Sequence, residues 1–379
     1  MKKILLLFKN YKKRIIKPID LIKQPSEDLA RAIGKSIYYM LNGITQKKFN
    51  TSASVKRILF IRRNKLGDAV SILPTIQAIK EKHPNIIIDI IANPYNKIIF
   101  KLSSFVNNTY SIPDRYLKNR YLLFFHPKMK NIRKFNKYDI VIGATGSYSS
   151  ATAWLAFCVS ATHKAGIVSN SGHLMDLIYT IKINHAKVSQ EIHQVKKIAF
   201  LAKSCGLINS NDRLPTAKLT TYNITEKSNI VALCPITHRV NSKWSDNNWC
   251  RLSEILDNLN IKYVWIGHKP NNASDKATVD HPEKVREFIE YLSSHSIVVC
   301  SEGGTSHIAP ALGCHTIILS GVNISQSWIP WSNKIILFEK TNRVDSINPK
   351  HIAEQINNQI NHNCFTQSNG GVFNESFNS

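Results

Sequence analysis

The chain has 379 residues, 43% of them hydrophobic, and carries 50 Lys and Arg against 25 Asp and Glu, a net charge of +25. That length accommodates two domains of ordinary size, and that apolar content excludes a disordered chain. The charge points to an anionic partner, whether a nucleic acid, an acidic membrane surface or a phosphorylated substrate, or else reflects a solvated basic surface.

The seven cysteines (Cys158, Cys205, Cys234, Cys250, Cys300, Cys314 and Cys364) are odd in number, and no two sit at metal-ligand spacing. This argues against a disulfide framework or a zinc site and for a reducing compartment. No apolar run approaches the roughly 20 residues that span a bilayer. Residues 4–8 are too short for a secretory apolar region.

Residues 1–55 form a basic arm. Its start, KKILLLFKNYKKRIIKPIDLI over 2–22, gathers Leu5, Phe8 and Ile15 loosely on one side of a helix that Pro18 would end. Such a segment can lie on an anionic leaflet, each nearby cation contributing about 1 kcal/mol. It can equally pack on the protein's own surface.

From residue 57 the pattern is that of an α/β domain. RILFI (57–61) reads as a buried strand. A loop over 62–68 leads into a helix over 69–82, with Val70, Leu73, Ile76 and Ile79 at helical spacing. A strand over 86–92 completes a βαβ unit and predicts a parallel sheet. A strand over 138–142, a helix over 149–159, a short strand over 164–168 and a helix over 190–205 follow. Residues 171–188 are ambiguous and 209–218 read as a linker.

The second half starts over. Strands are expected over 229–234, 262–266, 296–300 and 316–319, with helices over 246–259, near 290–292, over 306–312 and over 349–360. The expected division is the arm (1–55), two Rossmann-like domains (56–215 and 216–345), a C-terminal helix (346–362) and a disordered tail (363–379). Ligands bind such sheets at the carboxyl ends of their strands, so the loops there face a cleft.

Three loops hold residues able to do chemistry. In Asn64-Lys65-Leu66-Gly67-Asp68, the acid could cap the next helix or act as a general base toward an acceptor hydroxyl, and both can hold. Lys65, Arg62 and Arg63 add positive potential there. In Thr237-His238-Arg239 with Ser242-Lys243-Trp244, hydroxyl and cations could take phosphate oxygens while Trp244 packs beneath. In Ser301-Glu302-Gly303-Gly304-Thr305-Ser306-His307, a strand runs into an acid, two glycines and a helix start. Glycines let backbone approach a ligand closely, and unpaired N–H groups favour a diphosphate. The same turn could simply connect two strands.

The stretch RILFIRRNKLGDAVSILP (57–74) resembles the amino-terminal signature of glycosyltransferase family 9, which contains the lipopolysaccharide heptosyltransferases. YDIVI (138–142) before Gly146, EGGTSHIAPALG (302–313) and WIPW (328–331) resemble its later segments. The resemblance spans roughly residues 56–360. It implies a GT-B fold: two Rossmann-like domains facing across a cleft.

It also implies inverting, metal-independent transfer from a nucleotide sugar, usually ADP-heptose, with no cofactor. It implies Asp68 as catalytic base, Gly303, Gly304, Thr305 and Ser306 as the rest for the donor diphosphate, and a lysine before Trp244, for which Lys243 is the nearest, as a phosphate contact. The reading of the loops themselves adds Arg62, Lys65 and Gly67 on the acceptor side and Thr237, Arg239, Glu302 and His307 on the donor side. The chain departs from the family pattern where Glu302-Gly303-Gly304 stands for the usual Asp-Thr-Gly. It departs again where Ser242 stands for the usual lysine two residues before Trp244, and where Gly143 replaces a polar residue.

The expected acceptor is an anionic lipid-linked saccharide at the cytoplasmic leaflet of the inner membrane, a peripheral cytoplasmic location. A nucleic-acid partner is disfavoured, because basic and aromatic residues alternate on no known module. A GT-B enzyme with a different nucleotide sugar, an epimerase of the same fold and a non-catalytic relative stand as alternatives.

Overall fold

A computed structural model describes residues 55–118, 127–135, 137–169, 174–221 and 226–368. The basic arm before residue 55 and the tail beyond residue 368 lie outside the described residues.

The described residues form two six-stranded parallel sheets. The first holds β1 (Arg57–Ile61), β2 (Ile87–Ala92), β3 (Asn108–Ser111), β4 (Tyr138–Gly143), β5 (Ala161–Val168) and β6 (Ile181–Asn184), in the order β3-β2-β1-β4-β5-β6. The second holds β7 (Ser228–Cys234), β8 (Tyr263–Ile266), β9 (Val279–Asp280), β10 (His295–Ser301), β11 (His315–Ser320) and β12 (Ile335–Glu339), in the order β12-β11-β10-β7-β8-β9.

Each sheet thus starts at its centre, grows to one side, and then crosses over to grow on the other. The order reverses beside β1 in the first sheet and between β7 and β10 in the second. Crevices form at such reversals, outside the carboxyl ends of the strands.

The central strands β1, β4, β7 and β10 are largely buried on both faces, as their apolar runs dictate, while the edge strands β3, β6, β9 and β12 are partly exposed. Ile58 and Phe60 of β1 share a core with Ala232 and Cys234 of β7. Leu59 and Ile61, on the other face of β1, pack with Tyr138, Val141 and Ala156. Each fully buried aliphatic or Phe side chain contributes about 1.5–3 kcal/mol. A carboxylate sits inside the first sheet: Asp89 is fully buried in β2. Its carboxylate takes Arg57 Nη2 at 2.6 Å, the Tyr138 hydroxyl at 2.8 Å and Asn108 Nδ2 at 2.9 Å. The charge is therefore fully partnered, and the network ties four adjacent strands together.

The structure differs from the sequence reading at several boundaries. The helix expected over 69–82 is two helices, Leu66–Val70 and Leu73–Lys82. Pro74 is the cause: it has no N–H to donate and would crowd the carbonyl four residues back, but it suits the first turn of a new helix. Asp68 is consequently not a cap. The capping position is Lys65, and Asp68 lies inside the first turn. The helix expected from residue 190 begins at Gln194, with the His193 side chain capping it, after a short helix His185–Ser189. The C-terminal helix runs Pro349–Ser368, so the expected tail over 363–368 is helical. Strands β3, β6, β9 and β12 were not read from sequence.

The two halves meet through a strap of the second half. Gln194 N donates to Ser327 O at 2.9 Å. Trp331 Nε1 donates to Leu214 O at 3.2 Å. The His193 ring lies 4.9 Å from that of Trp331, and its Nε2 lies 2.9 Å from Ile329 O. Because Nδ1 accepts from Val195 N, the Nε2 of a neutral ring carries the proton and donates.

Candidate active site

A cleft of about 630 Å³ opens between the carboxyl ends of the two sheets. The loop after β1 supplies one wall, with Asn64, Lys65, Leu66, Gly67 and Asp68. The turn after β10 faces it, with Glu302, Gly303, Gly304, Thr305 and His307. Thr237, His238 and Arg239, from the loop after β7, complete the second wall.

Asp68 is set by Arg62. That arginine is fully buried, and its guanidinium is completely engaged in the fold. Nε donates to Asp68 O at 2.8 Å and Nη1 to Ala144 O at 2.7 Å. Nη2 reaches Asp68 Oδ1 at 2.9 Å and Ser71 Oγ at 3.2 Å. Burial pushes the guanidinium below its ordinary value, and the Asp68 carboxylate pushes back. The planar fork grips backbone and carboxylate at once, which a lysine could not do. Asp68 keeps one oxygen tied, while Oδ2 has no protein partner among the described residues. Its side chain is 17% exposed.

On the other wall the charges are reversed in depth. Glu302 has a side chain 3% exposed, and Arg239 one that is 50% exposed, with Arg239 Nε 2.6 Å from Glu302 Oε2. The contact is an ion pair without an aligned hydrogen bond, so Oε2 stays unsatisfied. Burial raises the Glu302 carboxyl, and the nearby Arg239 and Lys65 charges oppose the rise.

The turn itself is closed by side chains. Thr237 Oγ1 donates to Glu302 O at 2.8 Å and accepts from Arg239 N at 3.1 Å. Ser306 Oγ donates to Gly303 O at 2.8 Å. Gly303 has φ +157 and ψ −150, a backbone region open in practice only to glycine. The helix Gly304–Ala311 follows, and its first residues, Gly304 and Thr305, line the cleft.

His307 joins the walls. A Cβ built on Gly67 would come within 2.8 Å of His307 Cδ2, so glycine is the residue that lets the imidazole sit there. The ring lies edge-on to Trp328, with centroids 6.3 Å apart. Burial, aided by His193 and Arg239, pushes its pKa down to about 4, so the ring is neutral at neutral pH.

Ten of the residues singled out from sequence therefore line one cleft: Asp68, Lys65, Gly67, Thr237, Arg239, Glu302, Gly303, Gly304, Thr305 and His307. Three do not reach its lining. Arg62 is interior, since its strand is buried on both faces and the chain turns outward only after it. Ser306 is buried with its hydroxyl spent on the turn.

Lys243 is exposed and lies outside the lining. A short 3-10 turn, Val240–Ser242, sends Ser242 inward, where its Oγ accepts from Gly321 N at 3.1 Å, and leaves Lys243 outside. Trp244 packs as expected: it is 1% exposed and stands edge-on to Trp249.

Sequence reasoning missed Tyr95, Trp328, and an apolar end of the cleft formed by Ile236, Ile266, Val285 and Phe288 with Lys284 at its rim. These follow strand ends or start the helix Val285–Ser293. The carboxyl-end rule applied to β2 and β8 would have pointed to Tyr95 and Ile266. Among the described residues, no three His, Cys, Asp or Glu side chains group in a way that could hold a metal ion.

Two parallel sheets of reversing order, facing across a cleft, make a GT-B architecture, the fold of a large class of glycosyltransferases. A family model described as glycosyltransferase family 9 (heptosyltransferase) matches residues 129–354, more than half of the chain. The chain belongs to that family and is a glycosyltransferase.

Solved structures agree on the fold. The E. coli heptosyltransferase WaaC with ADP is 17% identical, with a TM-score of 0.66 over 80% of this chain and 99% of that one. The E. coli ADP-heptose lipopolysaccharide heptosyltransferase II is 15% identical, with a TM-score of 0.65 over 81% and 99%. A family 9 glycosyltransferase from Veillonella parvula DSM 2008 is 12% identical, with a TM-score of 0.70 over 83% and 100%. Among the curated proteins, none matches.

Proposed function

We propose that this chain is an inverting, metal-independent glycosyltransferase that moves heptose from ADP-heptose to a lipopolysaccharide core or a related glycolipid. One observation carries the reading: a carboxylate with a free oxygen, Asp68, shares a cleft with the glycine turn Gly303–Gly304 and the half-exposed Arg239. The WaaC structures were solved with ADP and with ADP-2-deoxy-2-fluoro heptose, which supports an ADP-sugar as donor.

In this mechanism Asp68 Oδ2 takes the proton of an acceptor hydroxyl as its oxygen attacks the anomeric carbon. The nucleoside diphosphate leaves, and its growing charge meets the N–H groups that begin the helix Gly304–Ala311 and the Arg239 guanidinium. Arg239 fills the role of the family's lysine, because Ser242 is buried and Lys243 lies outside. The nucleoside rests in the apolar end beside Ile236 and Phe288. Residues 56–215 serve as the acceptor domain and 216–345 as the nucleotide-sugar domain. The acceptor is anionic and lipid-linked, matching the +25 charge, and the protein works peripherally at the cytoplasmic leaflet. No helix among the described residues is long and apolar enough to cross a membrane.

A different nucleotide sugar is the second reading, favoured by Glu302 and Ser242 at the two altered donor positions. Thermal stabilisation by ADP, UDP, GDP and CMP, compared side by side, decides between them. Binding to the folded state raises stability by mass action, by about 2.7 kcal/mol at a hundredfold excess over Kd. ADP is expected to shift the melting temperature most. A larger shift with another nucleotide moves the donor to that class, and no shift with any of the four sinks the transferase mechanism.

A further inference from the structure

The loop after β2 reads Asn93-Pro94-Tyr95-Asn96, and its two asparagines close it into a turn. Asn93 N donates to Asn96 Oδ1 at 3.0 Å, and Asn96 N donates to Asn93 Oδ1 at 2.7 Å. Their amide groups then reach across to the loop that carries Asp68. Asn93 Nδ2 donates to the carbonyls of Arg63 and Asn64, at 2.5 and 3.1 Å. Asn96 Nδ2 donates to those of Arg62 and Asn64, at 3.2 and 2.8 Å. Asn96 is fully buried, Asn93 is 8% exposed, and Pro94 fixes its own φ.

Between these anchors stands Tyr95, 55% exposed and lining the cleft. A lone exposed aromatic is ordinary on a protein surface. This one is different in two respects. Its loop is closed by two hydrogen bonds and tied by four more to the segment that carries Asp68, and its ring faces a cleft rather than open surface. Holding a large apolar face rigid in water stabilises nothing in the chain itself. It reduces the entropy lost when a ligand covers the ring, since a tyrosine has only two side-chain torsions to fix.

The ring belongs to the Asp68 wall, whereas the diphosphate turn and the apolar nucleoside end belong to the other half. Its partner is therefore the acceptor. We propose that Tyr95 is a stacking platform for a sugar ring of the acceptor. The electron-rich face of the phenol would meet the weakly positive C–H face of the pyranose and so set the attacking hydroxyl before Asp68. Tyr95 is then a residue that contacts substrate and selects acceptors with an unhindered apolar sugar face. The inference rests on the reading that the first half takes a saccharide acceptor.

The test uses the full chain and a lipid-free lipopolysaccharide core oligosaccharide as probe. Binding is followed by saturation-transfer NMR and titration, in the presence of ADP, for wild type, Tyr95→Ala, Tyr95→Phe and Tyr95→Trp. Tyr95→Ala is expected to raise the oligosaccharide Kd about tenfold, while Phe and Trp stay within about twofold of wild type, because the face and not the hydroxyl does the holding. In turnover, KM for the acceptor should rise in the Ala variant while kcat at saturation and KM for the donor stay close to wild type. The ADP-induced thermal shift should be the same in all four proteins, showing that the alanine variant is folded. Equal affinity in wild type and Tyr95→Ala overturns the platform, as does absence of oligosaccharide binding to wild type. A wild type that binds the oligosaccharide but gains no stability from ADP would instead overturn the transferase mechanism and leave the stacking result standing.

Discussion

Each wall of the cleft carries one carboxylate paired with one arginine, and the two pairs are built inside out. At the loop after β1 the arginine is the buried member and the acid reaches the cleft, with exposures of 0% for Arg62 and 17% for Asp68. At the turn after β10 the acid is the buried member and the arginine reaches out, with 3% for Glu302 and 50% for Arg239. In the proposed mechanism the member held inside is the scaffold and the member left outside is the reagent: one wall would offer a base, and the other a cation suited to a leaving diphosphate.

The largest effect should come from the base. Asp68→Ala is expected to lower turnover by about 10²–10⁴-fold with the fold retained. A folded variant with near-normal rate would remove the base from Asp68 and dissolve the comparison.

Arg62→Ala should act on stability first, lowering it by about 3–5 kcal/mol in chemical denaturation, because it leaves the Asp68 and Ala144 carbonyls without their buried donor. If Arg62→Ala unfolded at the wild-type denaturant concentration, the buried arginine would not be scaffold.

Arg239→Ala should raise the donor KM by about 10–100-fold, the worth of a charge-assisted phosphate contact. Lys243→Ala should leave it within about twofold. The reverse ranking in steady-state kinetics would show that the loop after β7 rearranges to bring Lys243 in.

The smallest effect is on pH dependence. His307 has a folded pKa of about 4 against about 6.5 unfolded, so between those values the unfolded chain binds the proton more readily. Stability should therefore fall as pH drops from about 6.5 toward 4. The depressed His193 acts in the same direction, and the raised Glu302 opposes it. Melting temperatures of wild type and His307→Gln measured across that range should converge toward pH 4. Parallel curves would mean the imidazole is not the group responsible.

Much of this architecture could be read in the chain. The apolar runs of β1 and β10 are too short for helices and too unbroken for half-exposed strands, so parallel sheets followed. Asp68 and the Glu302 turn were legible because each stands just past such a run. The direction in which a side chain leaves a strand end was not legible. Arg62 and Arg63 are neighbours of the same chemistry, yet one is sealed inside and the other pairs with Asp114 at 2.5 Å.

Ser242 and Lys243 show the same limit, since a single 3-10 turn decides which of them faces in. Pro74 did carry its signal, and only the weight given to helical spacing hid the break before it. The Tyr95 wall escaped notice because its meaning lies in six hydrogen bonds, four of them to residues about thirty positions away in sequence.

The depth of the two ion pairs also makes them unequal toward dissolved salt. Mobile ions screen charges they can approach, over about 8 Å at physiological ionic strength. They cannot enter around a guanidinium with no exposed surface, so the Arg62 pair keeps its attraction, while the half-exposed Arg239 is weakened toward any phosphate it meets. Rising salt should therefore loosen the grip on the donor and leave the base in place. Ionic strength becomes a lever on KM that spares kcat.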